Sequence, residues 1–321
     1  MYYSCVDQSS SSLYKTFAPI VIFAFNRPDK IQSCLKSLEK NVEFEKSEVT
    51  IFQDGPVNSF ESKRYRETTK FLQEYANNKN IKFIKFDNNK GLQKSIIEGI
   101  NYIFKTNSRI IVVEDDLIVS PYFLHFCNSY LEIYESEKEV SSIHGYSYPI
   151  KFNSKVPYFL AGADCWGWAT WKDRWELFEQ DAKVLLQQIK INKCAYSFDM
   201  KGSVGFSNML YRQSEGKLNS WAIRWHASMF LQNKMTLFPA KSHVLNTGAD
   251  GSGTNLKINE KFSTFLSTER SEIRYQKPKI SKKAEKAMIK YYRKINSYSI
   301  LKVFVYRICA YFRVYGKLVF K

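Results

Sequence analysis

Residues 112–117 read VVEDDL, and in this stretch an apolar run gives way at once to three consecutive acids, Glu114, Asp115 and Asp116. The apolar run is typical of a buried strand, so we expect the acids where the chain leaves the sheet. Three neighbouring carboxylates need a cation, and hard oxygen ligands suit Mn²⁺ or Mg²⁺ bound together with substrate phosphates. In open α/β sheets, ligands also bind at the carboxyl ends of the strands. A solvated acidic turn is the alternative interpretation.

The stretch lies in a region, residues 19–147, where short β-rich runs alternate with amphipathic stretches. This alternation is typical of βα units and predicts an α/β fold with a mainly parallel sheet flanked by helices. Apolar residues at helical spacing predict helices over Ile31–Leu38 and Leu92–Ile103, and Ser120-Pro121 is typical of another helix start. The predicted strands are Ile20–Phe25, Val49–Gln53, Ile81–Phe86, Ile110–Val113 and Val140–His144.

Positive charge is concentrated at the end of the chain. Eleven Lys and Arg residues and one acid lie between Lys282 and Lys321, whereas the whole chain carries a formal net charge of +17. On a helical wheel, Lys302, Arg307, Arg313 and Lys317 gather on one side of an apolar and aromatic segment. This pattern predicts a basic amphipathic helical tail that lies on an anionic membrane surface. A helix packed on the body, or a self-association surface, is the alternative.

The cysteines point to a reducing compartment. Six are scattered without a Cys-x-x-Cys pair, at Cys5, Cys34, Cys127, Cys165, Cys194 and Cys309. No hydrophobic signal segment is recognised at the start, and the most apolar part of the tail is interrupted by Lys and Arg, which argues against a spanning helix. We therefore expect a cytoplasmic protein with reduced thiols, peripheral on the inner face of the cell membrane.

The longer segment VVEDDLIVSPYFLHF, Val112–Phe126, resembles the nucleotide-sugar glycosyltransferases of the GT-A fold, most closely the N-acetylglucosaminyltransferase I type and bacterial surface-polysaccharide enzymes. Weaker similarity occurs in IVIFAFNRPDKI, FQDG, GLQKSI and YFLAGADCWGW, which begin at residues 20, 52, 91 and 158. The resemblance implies a Rossmann-like fold. It also implies that a hexose or N-acetylhexosamine passes from a nucleotide diphosphate sugar, preferably a UDP-sugar, to a hydroxyl of a glycan or glycolipid, as in capsule or lipopolysaccharide assembly.

The resemblance also implies roles for the acids. Asp116 is similar to the direct metal ligand, Asp115 to a ribose or metal-shell contact, and Glu114 to a supporting group. Asp54 resembles the carboxylate that accepts a hydrogen bond from the nucleotide base. The bound cation, Mn²⁺ or Mg²⁺, would stabilise the departing diphosphate. Asp54 also lies in an ordinary turn sequence, Asp-Gly-Pro, which is the alternative reading.

Three further residues are similar to donor-pocket positions: Asn26, Arg27 and Lys94. Arg27 follows the first predicted strand, and Lys94 lies in the GLQKSI turn. Their side chains would face the nucleotide or its diphosphate. Exposed cations near helix starts are the alternative for Arg27 and Lys94.

The general base is where the sequence departs from the family. In the resembling enzymes it lies in a Trp-Asp-Asp-Trp-like element, but the corresponding NSWAIRW has Ala222 and Ile223 instead of acids. We expect Asp164, and after it Asp250 in the glycine-rich loop, to substitute. Turn formation is the alternative for both. His226 and His243 could complete a metal shell, and a packed or solvent-facing histidine is the alternative for each.

All six tryptophans lie between residues 166 and 225. Flat aromatic faces bind sugar rings, so we expect an acceptor cleft formed by Trp166, Trp168 and Trp221. The alternative is a core, because Trp221 and Trp225 are four residues apart, as on one face of a helix.

These readings divide the chain into four parts. They are an N-terminal segment (1–18), a nucleotide-sugar-binding α/β domain (19–150), an acceptor-binding and catalytic region (151–260), and a connector with the basic tail (261–321). Two other functions compete with glycosyl transfer. A nucleic-acid-binding protein is disfavoured because the bases are concentrated in an apolar tail, and we expect no nucleic-acid partner. A catalytically silent sugar-binding relative is suggested by the missing acids.

Overall fold

A computed structural model describes residues 14, 16–57, 61–152, 154–248 and 261–296. The strands within these residues are β1 (Ile20–Ala24), β2 (Val49–Gln53), β3 (Lys82–Lys85), β4 (Arg109–Glu114), β5 (Leu117–Val119), β6 (Val140–His144), β7 (Tyr158–Ala161), β8 (Trp168–Trp171), β9 (Met235–Phe238) and β10 (Val244–Asn246). The helices are α1 (Pro28–Leu38), α2 (Lys63–Lys79), α3 (Gly91–Ile103), α4 (Phe123–Ile133), α5 (Lys172–Trp175), α6 (Ala182–Ile191), α7 (Ala195–Phe198), α8 (Phe206–Ser214), α9 (Trp221–Leu231) and α10 (Lys282–Ile295).

The central sheet has eight strands in the order β3-β2-β1-β4-β8-β6-β9-β7. β3, β2, β1 and β4 are mutually parallel, and β8 runs antiparallel between β4 and β6. β9 is parallel to β6, and β7 is antiparallel to β9. The mainly parallel α/β fold predicted from the sequence is therefore confirmed, and the carboxyl ends of β1, β2 and β4 share one edge.

The five predicted strands are all present, with ends that shift by at most one residue. The predicted helices correspond to α1 and α3, and α4 begins soon after Ser120-Pro121. β7, β8 and β9 belong to the part of the chain beyond residue 150, and they complete the same sheet as the first half. The expected boundary near residue 150 therefore does not coincide with an edge of the sheet.

The sheet is covered on both faces because its strands alternate between two apolar clusters. On one face, Ile20 and Ile22 pack with Ile31 and Leu35 of α1. On the other, Val21 and Phe23 belong to a cluster with Ile96 and Ile100 of α3. Four tryptophans complete this cluster, namely Trp168, Trp175, Trp221 and Trp225. Strands buried on both faces are read as continuous apolar runs, which is why the sequence identified β1 and β4 readily.

A second, two-stranded sheet lies directly after the acids. β5 pairs antiparallel with β10, with Leu117 opposite Asn246. This pairing brings residues 246–248 to the end of β4, although more than a hundred residues separate the two segments in the sequence.

The C-terminal part of the chain is described as far as residue 296. α10 is capped by Ser281, whose hydroxyl accepts from the backbone N–H of Ala284 (3.3 Å). The rest of the predicted basic helix, with Lys302, Arg307, Arg313 and Lys317, lies outside the described residues. Among the described helices, none has the length and apolar character needed to cross a bilayer. Cys34, Cys127, Cys165 and Cys194 are free thiols.

Candidate functional site

The predicted acids lie at the shared edge of the sheet. Phe23 of β1 is the register partner of Glu114, and the backbone N–H of Asp115 donates to the carbonyl oxygen of Phe23 (3.0 Å). Arg27 follows β1 by three residues and precedes α1. The parallel pairing of β1 and β4 thus brings one arginine and three carboxylates together.

Arg27 binds two of these acids at once. Its guanidinium forms an ion pair with Asp115 and donates from Nη1 to Oδ2 of Asp116 (3.0 Å). The Asp115 side chain is almost fully buried, whereas that of Asp116 is 13% exposed. Burial raises the pKa of Asp115 to about 6, although the Arg27 charge lowers it. Burial, with the charges of Asp116 and Asp115, raises the pKa of Glu114 to about 8.

The backbone after β10 holds Asp116 from the other side. The N–H and hydroxyl of Thr247 both donate to the carbonyl oxygen of Asp116, at 2.9 and 2.8 Å. Lys30 Nζ donates to the carbonyl oxygen of Thr247 (2.8 Å). A Cβ atom on Gly248 would lie 2.2 Å from Oδ2 of Asp116, so any larger residue would require the carboxylate or the chain to shift.

The acids fit part of the shell of a hard divalent cation. Asp115 and Asp116 offer neighbouring carboxylate oxygens, the ligand type that Mg²⁺ and Mn²⁺ prefer. No cluster of three or more His, Cys, Asp or Glu side chains with metal-binding geometry is found among the described residues. A cation at this corner would therefore take its remaining oxygen ligands from water or from a substrate, as phosphates provide.

Asp54 follows β2 at the same edge and is buried. Its Oδ1 accepts from the backbone N–H groups of Gly55 (2.9 Å) and Lys90 (2.8 Å), and Oδ2 accepts from Asn89 Nδ2 (3.2 Å). Asp54 thus ties the segment before α3 to the end of β2. Gly55 allows this contact, because a Cβ there would lie 2.2 Å from the backbone of Asn88.

The other two predicted donor residues differ in their surroundings. Asn26 lies next to Arg27 and is half-buried, and its carbonyl oxygen accepts from Arg64 Nε (3.4 Å). Lys94 lies on the first turn of α3 with its side chain exposed. Asn219 approaches the same turn, with Nδ2 4.0 Å from the position of a Cβ on Gly91.

Asp164 lies in the loop between β7 and β8, opposite the acids. In the antiparallel register of β4 and β8, Val112 pairs with Trp168, so the residues before Trp168 run alongside those after Val112. Burial, and the charges of Asp164, Glu114 and Asp116, all raise the pKa of Cys165. The thiol is therefore within electrostatic reach of both Asp164 and the acids.

A tyrosine that the sequence did not single out holds Asp164. Tyr148 Oη donates to Asp164 Oδ2 (2.5 Å), and the backbone N–H of Cys165 donates to Oδ1 (2.8 Å). Burial and the Asp164 charge raise the pKa of Tyr148 well above its ordinary value, so the phenol remains a donor. The Tyr148 ring packs against Tyr292 of α10, with centroids 6.0 Å apart. The only signal in the sequence was the position of Tyr148 shortly after β6.

A cavity of about 170 Å³ opens beside Asp164. Ser220, Ala222 and Ile223, from the N-terminal turn of α9, form part of its wall. Ala222 and Ile223 are the residues found where the resembling enzymes carry acids. Asp164 therefore faces the same space as the position that lacks the carboxylate.

The expectation of an acceptor cleft built from tryptophans is wrong for two of the three residues. Trp168 is fully buried and Trp221 is 3% exposed, and their rings stack on each other with centroids 5.6 Å apart. Trp175 and Trp225 complete this cluster, so the alternative of a core is correct. Trp166 is half-buried and lies against Tyr146, and it is the most exposed of the six tryptophans.

Neither histidine considered as a metal ligand lies in a metal shell. His243 Nδ1 is 2.7 Å from Ser120 Oγ, and Nε2 is 2.8 Å from Ser271 Oγ. His226 Nδ1 is 2.8 Å from the carbonyl oxygen of Ala163, on the wall of the cavity. Both are packed residues, which was the alternative for each. Asp250, the second candidate base, lies outside the described residues.

Solved structures with a similar chain path share little sequence with this protein. A crystal structure of TarS from S. aureus, residues 1–349, is 13% identical with a TM-score of 0.41, covering 72% of this chain and 61% of TarS. GalNAc-T7 with UDP, GalNAc and Mn²⁺ is 10% identical with a TM-score of 0.48, covering 72% of this chain and 43% of that one. The chain thus spans less than two thirds of either protein. No curated protein matches it.

A family model gives the decisive match. The model described as glycosyl transferase family 2 matches residues 20–195, more than half of the chain. The matched region includes β1, β4, the acids, Asp54 and the loop that carries Asp164. The resemblance inferred from VVEDDLIVSPYFLHF is confirmed, and the chain belongs to glycosyl transferase family 2.

Proposed function

We propose that the protein transfers a hexose or N-acetylhexosamine from a UDP-sugar to a hydroxyl of a glycan or glycolipid, with a divalent cation at Asp115 and Asp116. The observation that carries this proposal is the meeting of Arg27, Asp115 and Asp116 at the carboxyl ends of β1 and β4, opposite Asp164. Family membership supports sugar transfer as the reaction class. The choice of uridine rests on the sequence resemblance.

The donor side of the reaction requires stabilisation of a departing diphosphate. The cation, when bound, would neutralise the negative charge that develops on that group. Arg27 binds Asp115 and Asp116, so its guanidinium lies next to the proposed cation site. We propose that Arg27, with Asn26 and Lys94 nearby, contributes to donor binding, and that Glu114 supports the other two acids. Asp54 would contribute through the segment before α3, which it fixes.

The acceptor side requires a base. We propose that Asp164 accepts the proton from the acceptor hydroxyl, because its carboxylate lies on the wall of the cavity formed with the α9 turn. Tyr148 orients this carboxylate through its 2.5 Å hydrogen bond. Trp166 would border the acceptor through its remaining exposed surface. Asp250 stays the second candidate for the base.

We further propose that the protein works at an anionic membrane surface on the cytoplasmic side, in the assembly of a bacterial surface polysaccharide. All the bases of α10 are exposed, namely Lys282, Lys283, Lys286, Lys290, Arg293 and Lys294. The opposite face of α10, with Ala284, Met288 and Tyr292, is buried. A row of exposed cations on a docked helix is suited to anionic headgroups. The surface-polysaccharide setting rests on the resemblance alone.

The proposal is tested by turnover with a donor panel. UDP-, GDP- and CDP-sugars are incubated with the full chain and Mn²⁺, and hydrolysis and transfer are followed by mass spectrometry. We expect turnover of a UDP-sugar that Asp116→Ala abolishes and that Asp164→Asn reduces by about 10²-fold or more. Turnover that survives Asp116→Ala would contradict the assignment of the cation site.

Because Ala222 and Ile223 replace the expected acids, a second candidate function is binding of the donor sugar without transfer. Binding of a UDP-sugar without turnover, for every donor and in the presence of Mn²⁺, would favour that function.

A further inference from the structure

The cavity beside Asp164 has an unusually apolar wall for a site that would receive a sugar. It lies between β7, α8, α9 and α10, and its lining includes Leu160, Phe206, Ile223 and Phe238. Three of the six methionines of the chain, Met200, Met209 and Met288, also line it. Methionine side chains are flexible and polarisable, and they adapt to apolar ligands of varied shape.

Several polar groups on the described part of the wall already have partners inside the protein. Tyr148 donates to Asp164, and His226 Nδ1 lies 2.8 Å from the carbonyl oxygen of Ala163. Ser220 caps α9, where its hydroxyl accepts from the backbone N–H of Ile223. A sugar ring bound deep in this cavity would lose water from its hydroxyls with few groups to replace it, which is costly. An apolar group has no hydrogen bonds to water to lose, so its burial in the cavity would not carry this cost.

The size of the cavity limits what it can hold. An apolar cavity of about 150 Å³ in a protein accommodates a ligand of the size of benzene. At about 170 Å³, the cavity beside Asp164 is in the same range. A phenyl ring or a short acyl chain fits this volume, whereas a long lipid chain does not.

We propose that this cavity binds a compact apolar group of the acceptor, attached next to the hydroxyl that is glycosylated, and so selects acceptors that carry such a group. The inference rests on the proposed function, because it takes Asp164 as the end of the cavity where the hydroxyl arrives. Met288 and Tyr292 make α10 part of this selection. The C-terminal helix is then a wall of the acceptor site as well as a basic surface.

The test measures binding without donor or turnover. The full chain is labelled with ¹³C at the methionine methyl groups and titrated with phenyl β-D-glucoside. We expect shifts of the Met200, Met209 and Met288 methyl signals, because a bound ring lies next to them, and unchanged signals for Met229 and Met235. A large excess of methyl β-D-glucoside should leave those shifts in place. Displacement by methyl glucoside would show that the sugar ring is recognised, and it would overturn the proposal.

Matched substitutions locate the binding. Ala222→Leu adds carbons on the wall of the cavity and should weaken phenyl glucoside binding by about tenfold. Ala287→Leu makes the same change on α10, away from the lining, and should alter the affinity by less than about twofold. The Met229 and Met235 signals report whether each variant is folded. Equal effects of the two substitutions would contradict the proposal.

The outcomes separate this inference from the proposed function. Unshifted Met200, Met209 and Met288 signals in a protein that turns over a UDP-sugar contradict the apolar subsite alone. Shifted signals in a protein that turns over no donor contradict the proposed reaction and leave the cavity as an apolar binding site.

Discussion

Arg27 Nη1 lies 3.0 Å from Oδ2 of Asp116, and the same guanidinium also binds Asp115. One guanidinium, with a single positive charge, is therefore shared between two carboxylates at the end of β4. The pair is partly buried, since the Arg27 side chain is 16% exposed.

Removal of this guanidinium should be costly. Arg27→Ala leaves two shielded carboxylates without a counter-charge, and we expect the free energy of unfolding to fall by about 3 kcal/mol. Mn²⁺ should restore part of that loss in the variant. Urea denaturation with and without Mn²⁺ measures both effects. The control is Arg64→Ala, which removes an exposed ion pair with Asp29 and should cost less than about 1 kcal/mol. Equal losses in the two variants would show that the acids do not depend on Arg27.

The hydrogen bond from Tyr148 to Asp164 should matter for catalysis more than for donor binding. Tyr148→Phe keeps the ring and removes the donor, so we expect kcat to fall by about tenfold while KM for the donor stays unchanged. Steady-state kinetics with the donor found in the panel measures the split. Tyr146→Phe serves as the control, because it removes a neighbouring hydroxyl, which donates to the carbonyl oxygen of Phe262 (2.7 Å). A rise in donor KM without a change in kcat would refute the positioning role.

Trp166 and Trp168, both expected at the acceptor, should differ in how much their substitution lowers the free energy of unfolding. Trp168→Ala opens a space in the fully buried aromatic cluster, and we expect it to lower the free energy of unfolding by about 3 to 5 kcal/mol. Trp166→Ala changes a half-buried ring and should be clearly less destabilising. Thermal and urea unfolding of both variants tests the difference. Similar destabilisation by the two would mean that Trp166 also belongs to the core.

His243 should make folding sensitive to acid. Burial, followed by the charge of His125, lowers the pKa of His243 to about 4, whereas the unfolded value is about 6.5. Between these values the unfolded chain binds the extra proton, so stability falls as pH decreases through this window, by up to about 3 kcal/mol. His243→Asn should flatten that part of the curve. The unfolding free energies of the wild type and of His243→Asn are measured from pH 7 to pH 4 and subtracted at each pH. The subtraction removes the contributions of other groups, such as Glu114, whose pKa is shifted in the opposite direction. Parallel curves would contradict the assignment.

The sequence predicted the strands that are recognisable from their own residues alone. β1 and β4 are apolar runs, and the acids mark the end of β4, so the edge of the sheet could be located directly. β7, β8 and β9 have four residues each, and the sequence around them shows no clear hydrophobic periodicity. The second half of the sheet was therefore not predicted. The composition there suggested binding surfaces instead.

The site was harder to predict because its parts meet only through tertiary packing. The sequence predicted Trp168 near the substrates because flat aromatic faces bind sugar rings, yet its position on a central strand buries it. Asp164 and Ala222 share a cavity although 58 positions separate them, and no local pattern reports such a meeting. Arg27 was recognised, but its ion pairs with the acids depend on the register of β1 and β4.

The central claim is that Asp116 holds a cation that binds a nucleoside diphosphate at the end of β4. Isothermal titration of UDP into the full chain, with Mn²⁺ and with EDTA, tests it most directly, with Asp116→Asn as the variant and Asp173→Asn, an exposed acid on α5, as the matched control. We predict Mn²⁺-dependent UDP binding in the wild type and in Asp173→Asn, and affinity lower by at least about tenfold in Asp116→Asn. Binding of UDP that is equally tight in EDTA, or unaffected by Asp116→Asn, would contradict the account.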